Sequence, residues 1–280
     1  HELSSPKTIT MPYLQREGIK LYYEVHGEGR PLLFLSETAC HCDVWKMHQV
    51  PAFSPNYQVI LHDYRGTGRS GRPSGPYGIK DFAGDAAAIL EHLSARDAVV
   101  CGHSMGGSVA QVMALDHSDR VSALISASGR GFYPHTKGIP LRIVKEMVEW
   151  GYEHYLRKHG VTVGFTDMFI KRHPERVENY LAIRMAHLNP VEQYLRHVVA
   201  RQEHNLKDRL RDIGIPTLIL VGAEEDHVTS DTSLRQAADV LAAEIPGASF
   251  VELAGEKHSY FFVNPDTAHA AIRGFLKGLS

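Results

Sequence analysis

The chain has 280 residues, 43% hydrophobic and 22% charged, an ordinary globular balance that allows one large α/β domain with an inserted subdomain. A formal net charge of -2 with no long basic run argues against a general nucleic-acid binder, and no apolar stretch approaches the ~20 residues of a membrane span. The three cysteines, Cys40, Cys42 and Cys101, give neither a disulfide framework nor a zinc spacing, and Cys40-x-Cys42 with His41 and Asp43 beside it is not read as a metal site.

The amino-terminal stretch His1 to Lys7 shows no apolar signal region, so a cytoplasmic location is expected. Tyr13 to Arg16 and Ile19 to Val25 flank Glu17-Gly18 and predict an opening hairpin. Leu32 to Leu35 predicts a buried strand, then a loop and a helix from about Asp43. Gln58 to Asp63 predicts the next strand, running into the Gly-rich turn Tyr64 to Pro73, and Phe82 to Leu93 has helical periodicity.

The apolar run Ala98 to Cys101 ends in Gly102-His103-Ser104-Met105-Gly106, a G-x-S-x-G pentapeptide with a small-residue helical pattern directly after it. A strand, a tight turn and a helix are what a nucleophile elbow requires, with Ser104 lifted onto a strained turn and its hydroxyl exposed. Gly102 and Gly106 suit that geometry because side chains there would collide where the two backbones approach.

After the strand Val121 to Ser128 the alternation stops at Gly129-Arg130-Gly131. From there to about Ile213 the pattern is helical, over Met147 to His159, Pro174 to Ala186 and Val191 to His204. Strand–helix alternation resumes at Pro216 to Gly222 and continues through Leu234 to Ala243, Ser249 to Leu253 and Thr267 to Leu279. The expected organisation is a core over residues 1–130 and 214–280, with a helical cap over 131–213 inserted between two strands of a mostly parallel, helix-flanked sheet.

Leu33-Phe34-Leu35-Ser36, Trp45, His62 to Ser70, Gly75-Pro76-Tyr77-Gly78-Ile79 and Cys101 to Gly107 together resemble the α/β-hydrolase fold, and within it the 3-oxoadipate enol-lactonase-like branch of capped serine hydrolases. The resemblance covers roughly Tyr13 to Gly129 and Pro216 to Leu279 and is weak over the cap. It implies the chain order serine, acid, histidine. His258, between the last strand and the last helix, stands where the fold places its base, with Lys257 departing from the usual small residue before it. For the acid, the turn after Leu218 to Val221 offers Glu224, Glu225 and Asp226. Asp226 leads because Asp226-His227-Val228-Thr229 resembles the family's turn; Glu225 is the runner-up, and His227 is read as a surface neighbour. The oxyanion hole is expected from the backbone N–H groups of Met105 and Thr38, with Glu37 either in a salt bridge or facing the substrate. Asp63 and Arg65 are given scaffold roles.

The expected activity is therefore cofactor-free hydrolysis of an ester, lactone or enol-lactone through Ser104, His258 and Asp226. C–C bond hydrolysis of a β-diketone or ring-cleavage product is the alternative. A non-hydrolytic member of the fold (a dioxygenase, lyase or ligand-binding regulator) is the reading of another class. Glu37, His103, Trp150 and Phe169 are the candidate pocket residues, and no metal ligand is expected. The expected partner is a small-molecule substrate and at most a second copy of the chain, with neither nucleic acid nor membrane.

Overall fold

The computed structural model describes residues 13–133, 138–226 and 232–279. Eight strands form one sheet in the order β1-β2-β4-β3-β5-β6-β7-β8: β1 (Tyr13–Arg16), β2 (Ile19–His26), β3 (Arg30–Leu35), β4 (Tyr57–His62), β5 (Ala98–His103), β6 (Val121–Ala127), β7 (Thr217–Gly222) and β8 (Ser249–Leu253). β1 and β2 pair antiparallel with each other, as do β2 and β4, and from β4 to β8 every neighbour is parallel. A parallel sheet needs both faces covered, which is why β5 and β7 are buried along their whole length.

The period-two alternation sorts the strand residues cleanly. Leu33, Leu35, Ile60, Val100 and Ile219 pack against α2 (Ile79–His92), α3 (Met105–Asp116) and α9 (Leu234–Glu244) on one face. Leu32, Phe34, Leu61, Val99, Cys101 and Leu218 pack against α1 (Gln49–Phe53), α10 (Tyr260–Val263) and α11 (Pro265–Lys277) on the other. Where a helix was expected from about Asp43, the chain makes only a 3-10 turn at Cys42–Trp45 and then the short α1. Asp63 and Arg65 brace this region: Asp63 accepts from the Cys42 N–H at 2.8 Å and the Arg69 N–H at 2.8 Å, and Arg65 pairs with buried Asp85 at 2.6 Å.

Between β6 and β7 the described chain is helical apart from connecting loops: α4 (Ile139–Trp150), α5 (Tyr152–Gly164), α6 (Asp167–Arg172), α7 (Pro174–Met185) and α8 (Val191–Gln202). The continuous helix expected over Met147 to His159 is broken at Gly151, whose φ of 84° lies in the left-handed region and separates α4 from α5. Two apolar clusters hold these helices. One joins Ile143, Met147, Tyr155, Tyr194 and Val198; the other joins Phe165, Val177, Tyr180 and Leu181 to Phe262 of α10. Among the described residues no helix is long and apolar enough to cross a membrane.

Candidate active site

Ser104 sits at the junction of β5 and α3 with φ 58° and ψ -118°, a strained conformation for a residue with a Cβ. The turn is possible because its flanks carry no side chains. A Cβ on Gly102 would overlap the Gly106 carbonyl, and one on Gly106 would overlap the Leu35 carbonyl. The Ser104 N–H is tied to the Ala127 carbonyl at 2.8 Å, which fixes the turn against β6.

His258 is buried between β8 and α10, and its Nδ1 lies 3.0 Å from Oε2 of Glu225. The acid on the imidazole is therefore Glu225, and the expectation for Asp226 is corrected: Asp226 is exposed. The turn after β7 folds back on itself, with Ala223 N–H on Leu253 O at 2.9 Å and Glu224 N–H on Glu256 O at 2.9 Å. This carries Glu225 inward and the next side chain outward. Glu225, 2% exposed, has its other oxygen occupied as well, since Oε1 accepts from the Gly222 N–H at 3.0 Å and from the Ser128 hydroxyl at 2.5 Å. Because Ser128 spends its proton there, the Tyr260 hydroxyl donates to Ser128 Oγ at 2.9 Å, completing a relay Tyr260–Ser128–Glu225–His258.

Burial opposes the charged form of Glu225, but His258 and the Ser128 hydroxyl overcome it and hold the carboxyl below its ordinary pKa. Burial likewise opposes the imidazolium of His258, yet Glu225, helped by Glu37, lifts it above the ordinary histidine value. The neighbouring His103 ring lies 4.5 Å from that of His258; burial first, then the His258 charge, depress it to about 4, so it stays neutral.

Ser104, His258, Thr38 and Glu37 line one cavity of about 80 Å³. Its roof comes from α5, α7, α8 and the loop after α7, through residues such as Leu156, Val163, Arg184, Leu188 and Arg201. Glu37 accepts from Arg184 at 2.5 Å and from the Tyr180 hydroxyl at 3.3 Å. Its burial is outweighed by Arg184, with His103 and His258 adding to it, and the carboxyl is held at about 2. Neither the Thr38 N–H nor the Met105 N–H, the latter at the first position of α3, has a hydrogen-bond partner among the described residues. The Thr38 hydroxyl accepts from Arg201 at 3.1 Å, and Asn189 donates to the Ala39 carbonyl at 2.6 Å.

A family profile described as "alpha/beta hydrolase fold" matches residues 37–265. The chain belongs to the alpha/beta hydrolase fold family and is a hydrolase. A protein of Azorhizobium caulinodans that carries the name "Putative carbamate hydrolase RutD" is 31% identical to it over 95% of this chain and 98% of its own length. The 3-oxoadipate enol-lactonase 2 of Acinetobacter baylyi is 30% identical over 77% of this chain and 80% of its own. Among solved structures, a hydrolase from Pseudomonas aeruginosa superposes with a TM-score of 0.84 at 26% identity, covering 96% of this chain and 99% of that one.

Three of the four candidate pocket residues of this α/β hydrolase need correction. His103 lies behind His258 against Trp45, Tyr260 and Phe261, outside the cavity that Ser104 lines. Trp150 packs in the cap under the Lys158 ammonium, 3.5 Å from its ring centroid. Phe169 stacks on Phe165 and borders a separate hollow with Lys257. Both aromatics are taken up in packing the helices between β6 and β7 against one another. Only Glu37 reaches the cavity. Lys257 turns away to the Thr162 carbonyl at 3.2 Å, His227 lies outside the described residues, and His269 is held by Gln49 at 3.1 Å, away from the serine. Sequence reasoning missed Ser128, Tyr180, Asn189 and Tyr260. Their polar atoms matter only through partners far along the chain, and no local motif marks them.

Proposed function

We propose that this hydrolase cleaves a small ester, lactone or carbamate through Ser104, His258 and Glu225, using side chains and backbone amides alone. The observation that carries the reading is a buried carboxylate on Nδ1 of a histidine that shares a cavity with a strained serine at a helix amino terminus. With Nδ1–H donating to Glu225, the lone pair of Nε2 is free to take the Ser104 proton as Oγ attacks the carbonyl carbon. The tetrahedral oxyanion would rest on the Thr38 and Met105 N–H groups, at the positive end of α3. The imidazolium then gives its proton to the leaving oxygen. Water activated by the same Nε2 hydrolyses the acyl-enzyme and frees Ser104.

The substrate range follows the names of the relatives, a carbamate hydrolase and an enol-lactonase, together with a cavity small enough to favour a compact acyl group. Residues 131–213 are taken as the lid that sets this range, because α5, α7 and α8 supply most of the cavity's roof while the core supplies Ser104 and His258.

The test is labelling with a fluorophosphonate, then a panel of p-nitrophenyl esters, lactones, aryl carbamates and a β-diketone. The wild type should label and turn over members of the first three classes. Ser104→Ala should do neither while keeping its melting temperature. Labelling that survives Ser104→Ala, or turnover confined to the diketone, would overturn the reading.

A further inference from the structure

His41 stands on the loop that follows β3, beside the oxyanion loop, and its Nε2 lies 2.8 Å from the Ile183 carbonyl of α7. A carbonyl oxygen only accepts, so Nε2 carries the hydrogen and a neutral ring turns the bare lone pair of Nδ1 the other way. That nitrogen is buried, in a residue 1% exposed, and has no hydrogen-bond partner. It faces Oδ2 of Asp43 at 3.6 Å, and Nε2 of His187, from the loop after α7, approaches the same oxygen at 3.4 Å. The His41 and His187 rings stand edge to face with centroids 4.8 Å apart. A neutral ring's lone pair 3.6 Å from a carboxylate oxygen is repulsive, and a metal ion held between the two atoms would turn that repulsion into two bonds.

The three ligand atoms lie within 4.8 Å of one another. Donors bound 2.0–2.1 Å from a tetrahedral zinc are separated by about 3.3 Å, close to the two spacings measured from Asp43 Oδ2. The hydrogen bond from His41 Nε2–H to a backbone carbonyl is the support that metal-bound histidines ordinarily have on their second nitrogen. The other groups at Asp43 load Oδ1 more heavily than Oδ2. Lys46 at 2.7 Å and the nearer Arg69 contact at 3.0 Å both fall on Oδ1, while the remaining Arg69 nitrogen is 3.4 Å from Oδ2. Those two cations are shared with Glu24 and Asp63, so the carboxylates around them remain in excess.

We propose that His41, Asp43 and His187 form a Zn²⁺ site, completed by water, that clamps the loop after α7 to the core beside the oxyanion loop. Cys40 and Cys42, which drew attention to this stretch of sequence, take no part. The missing ligand is His187, which the fold brings from the loop after α7, far along the chain. His187 also borders the cavity of Ser104, so the ion would hold one wall of that cavity.

The full chain, stripped with EDTA and dialysed, should bind ZnCl2 in a calorimeter with one tight site. Its melting temperature should rise by several degrees in excess ZnCl2 and not in MgCl2. His187→Ala, which removes a partly exposed ligand, should lose at least about tenfold in affinity and most of the thermal gain. Diffraction at the zinc edge from soaked wild-type crystals should place the anomalous peak among His41, Asp43 and His187, an outcome independent of how the variant folds. Absence of tight binding, unchanged binding in His187→Ala, or a principal peak on Glu37, His103 and His258 would each overturn the proposal.

Discussion

Replacing Glu225 with glutamine keeps the size of the side chain and removes only its charge, and the surrounding donors decide how the new amide must sit. The Gly222 N–H at 3.0 Å and the Ser128 hydroxyl at 2.5 Å both require an acceptor, so the amide oxygen must stay at the Oε1 position. The amide NH2 is then turned toward His258 Nδ1, where the carboxylate stood at 3.0 Å. An NH2 group donates, so Nδ1 must become the acceptor and the ring hydrogen moves to Nε2. In that tautomer His258 cannot receive the Ser104 proton. A wrong tautomer in a serine triad lowers kcat by roughly 10⁴-fold, about 5 kcal/mol of barrier. Asp226→Asn, at an exposed carboxylate, should stay within about twofold. Stopped-flow hydrolysis of p-nitrophenyl acetate and the rate of fluorophosphonate labelling measure both variants, with thermal melts to verify folding. Glu225→Gln within tenfold of wild type, or a deep loss in Asp226→Asn alone, would refute the tautomer argument.

Three further outcomes rest on the same geometry. In the proposed mechanism the neutral form of His258 is the base, and Glu225 raises its pKa, so kcat/KM should climb with pH along a limb centred above the ordinary histidine value of 6.5; a limb below that value would contradict the assigned partner. Glu37 is held at about 2 against 4.5 in the unfolded chain, so its stabilising contribution is complete above pH 4.5 and is lost as pH falls toward 2. Urea titrations of wild type and Glu37→Gln should therefore differ in slope across that interval and not above it. Glu37, 13% exposed beside Arg184, loses its cation in Arg184→Met, which should cost about 2–4 kcal/mol at neutral pH. Much of that should return in the double variant with Glu37→Gln, and a single variant indistinguishable from wild type in urea would show the pair to be idle.

How much of this could be read from the residues alone depended on the range of the interactions. Strand alternation and the elbow are local: Gly102, Ser104 and Gly106 announce their own geometry because the steric demand falls within five residues. His258 could be placed only through the family resemblance, which sets the base between the last strand and the last helix. The acid could not, because which of Glu224, Glu225 and Asp226 turns inward is settled by backbone bonds to Leu253 and Glu256, outside the turn itself. The cap was legible as helical but not as a surface. Trp150 and Phe169 carry the right chemistry for a pocket lining, yet they are used up against Lys158 and Phe165. The break at Gly151 was masked by helical periodicity that continues across it.

The loop from Ser36 to His41 offers the site the Thr38 amide, yet much of what fixes it is lent by the cap: Arg184 on Glu37, Arg201 on Thr38, Asn189 on Ala39 and the Ile183 carbonyl on His41. If Thr38 and the cavity roof act as proposed, selectivity and rate are not separate traits in this molecule. A library that randomises the inner faces of α7 and α8 in search of new substrates also loosens the amide that would stabilise the transition state, and most of its members should turn over every substrate more slowly. Diversifying Leu156, Val163 and Leu188 while holding positions 184, 189 and 201 constant would change the shape of the cavity and leave its oxyanion loop anchored.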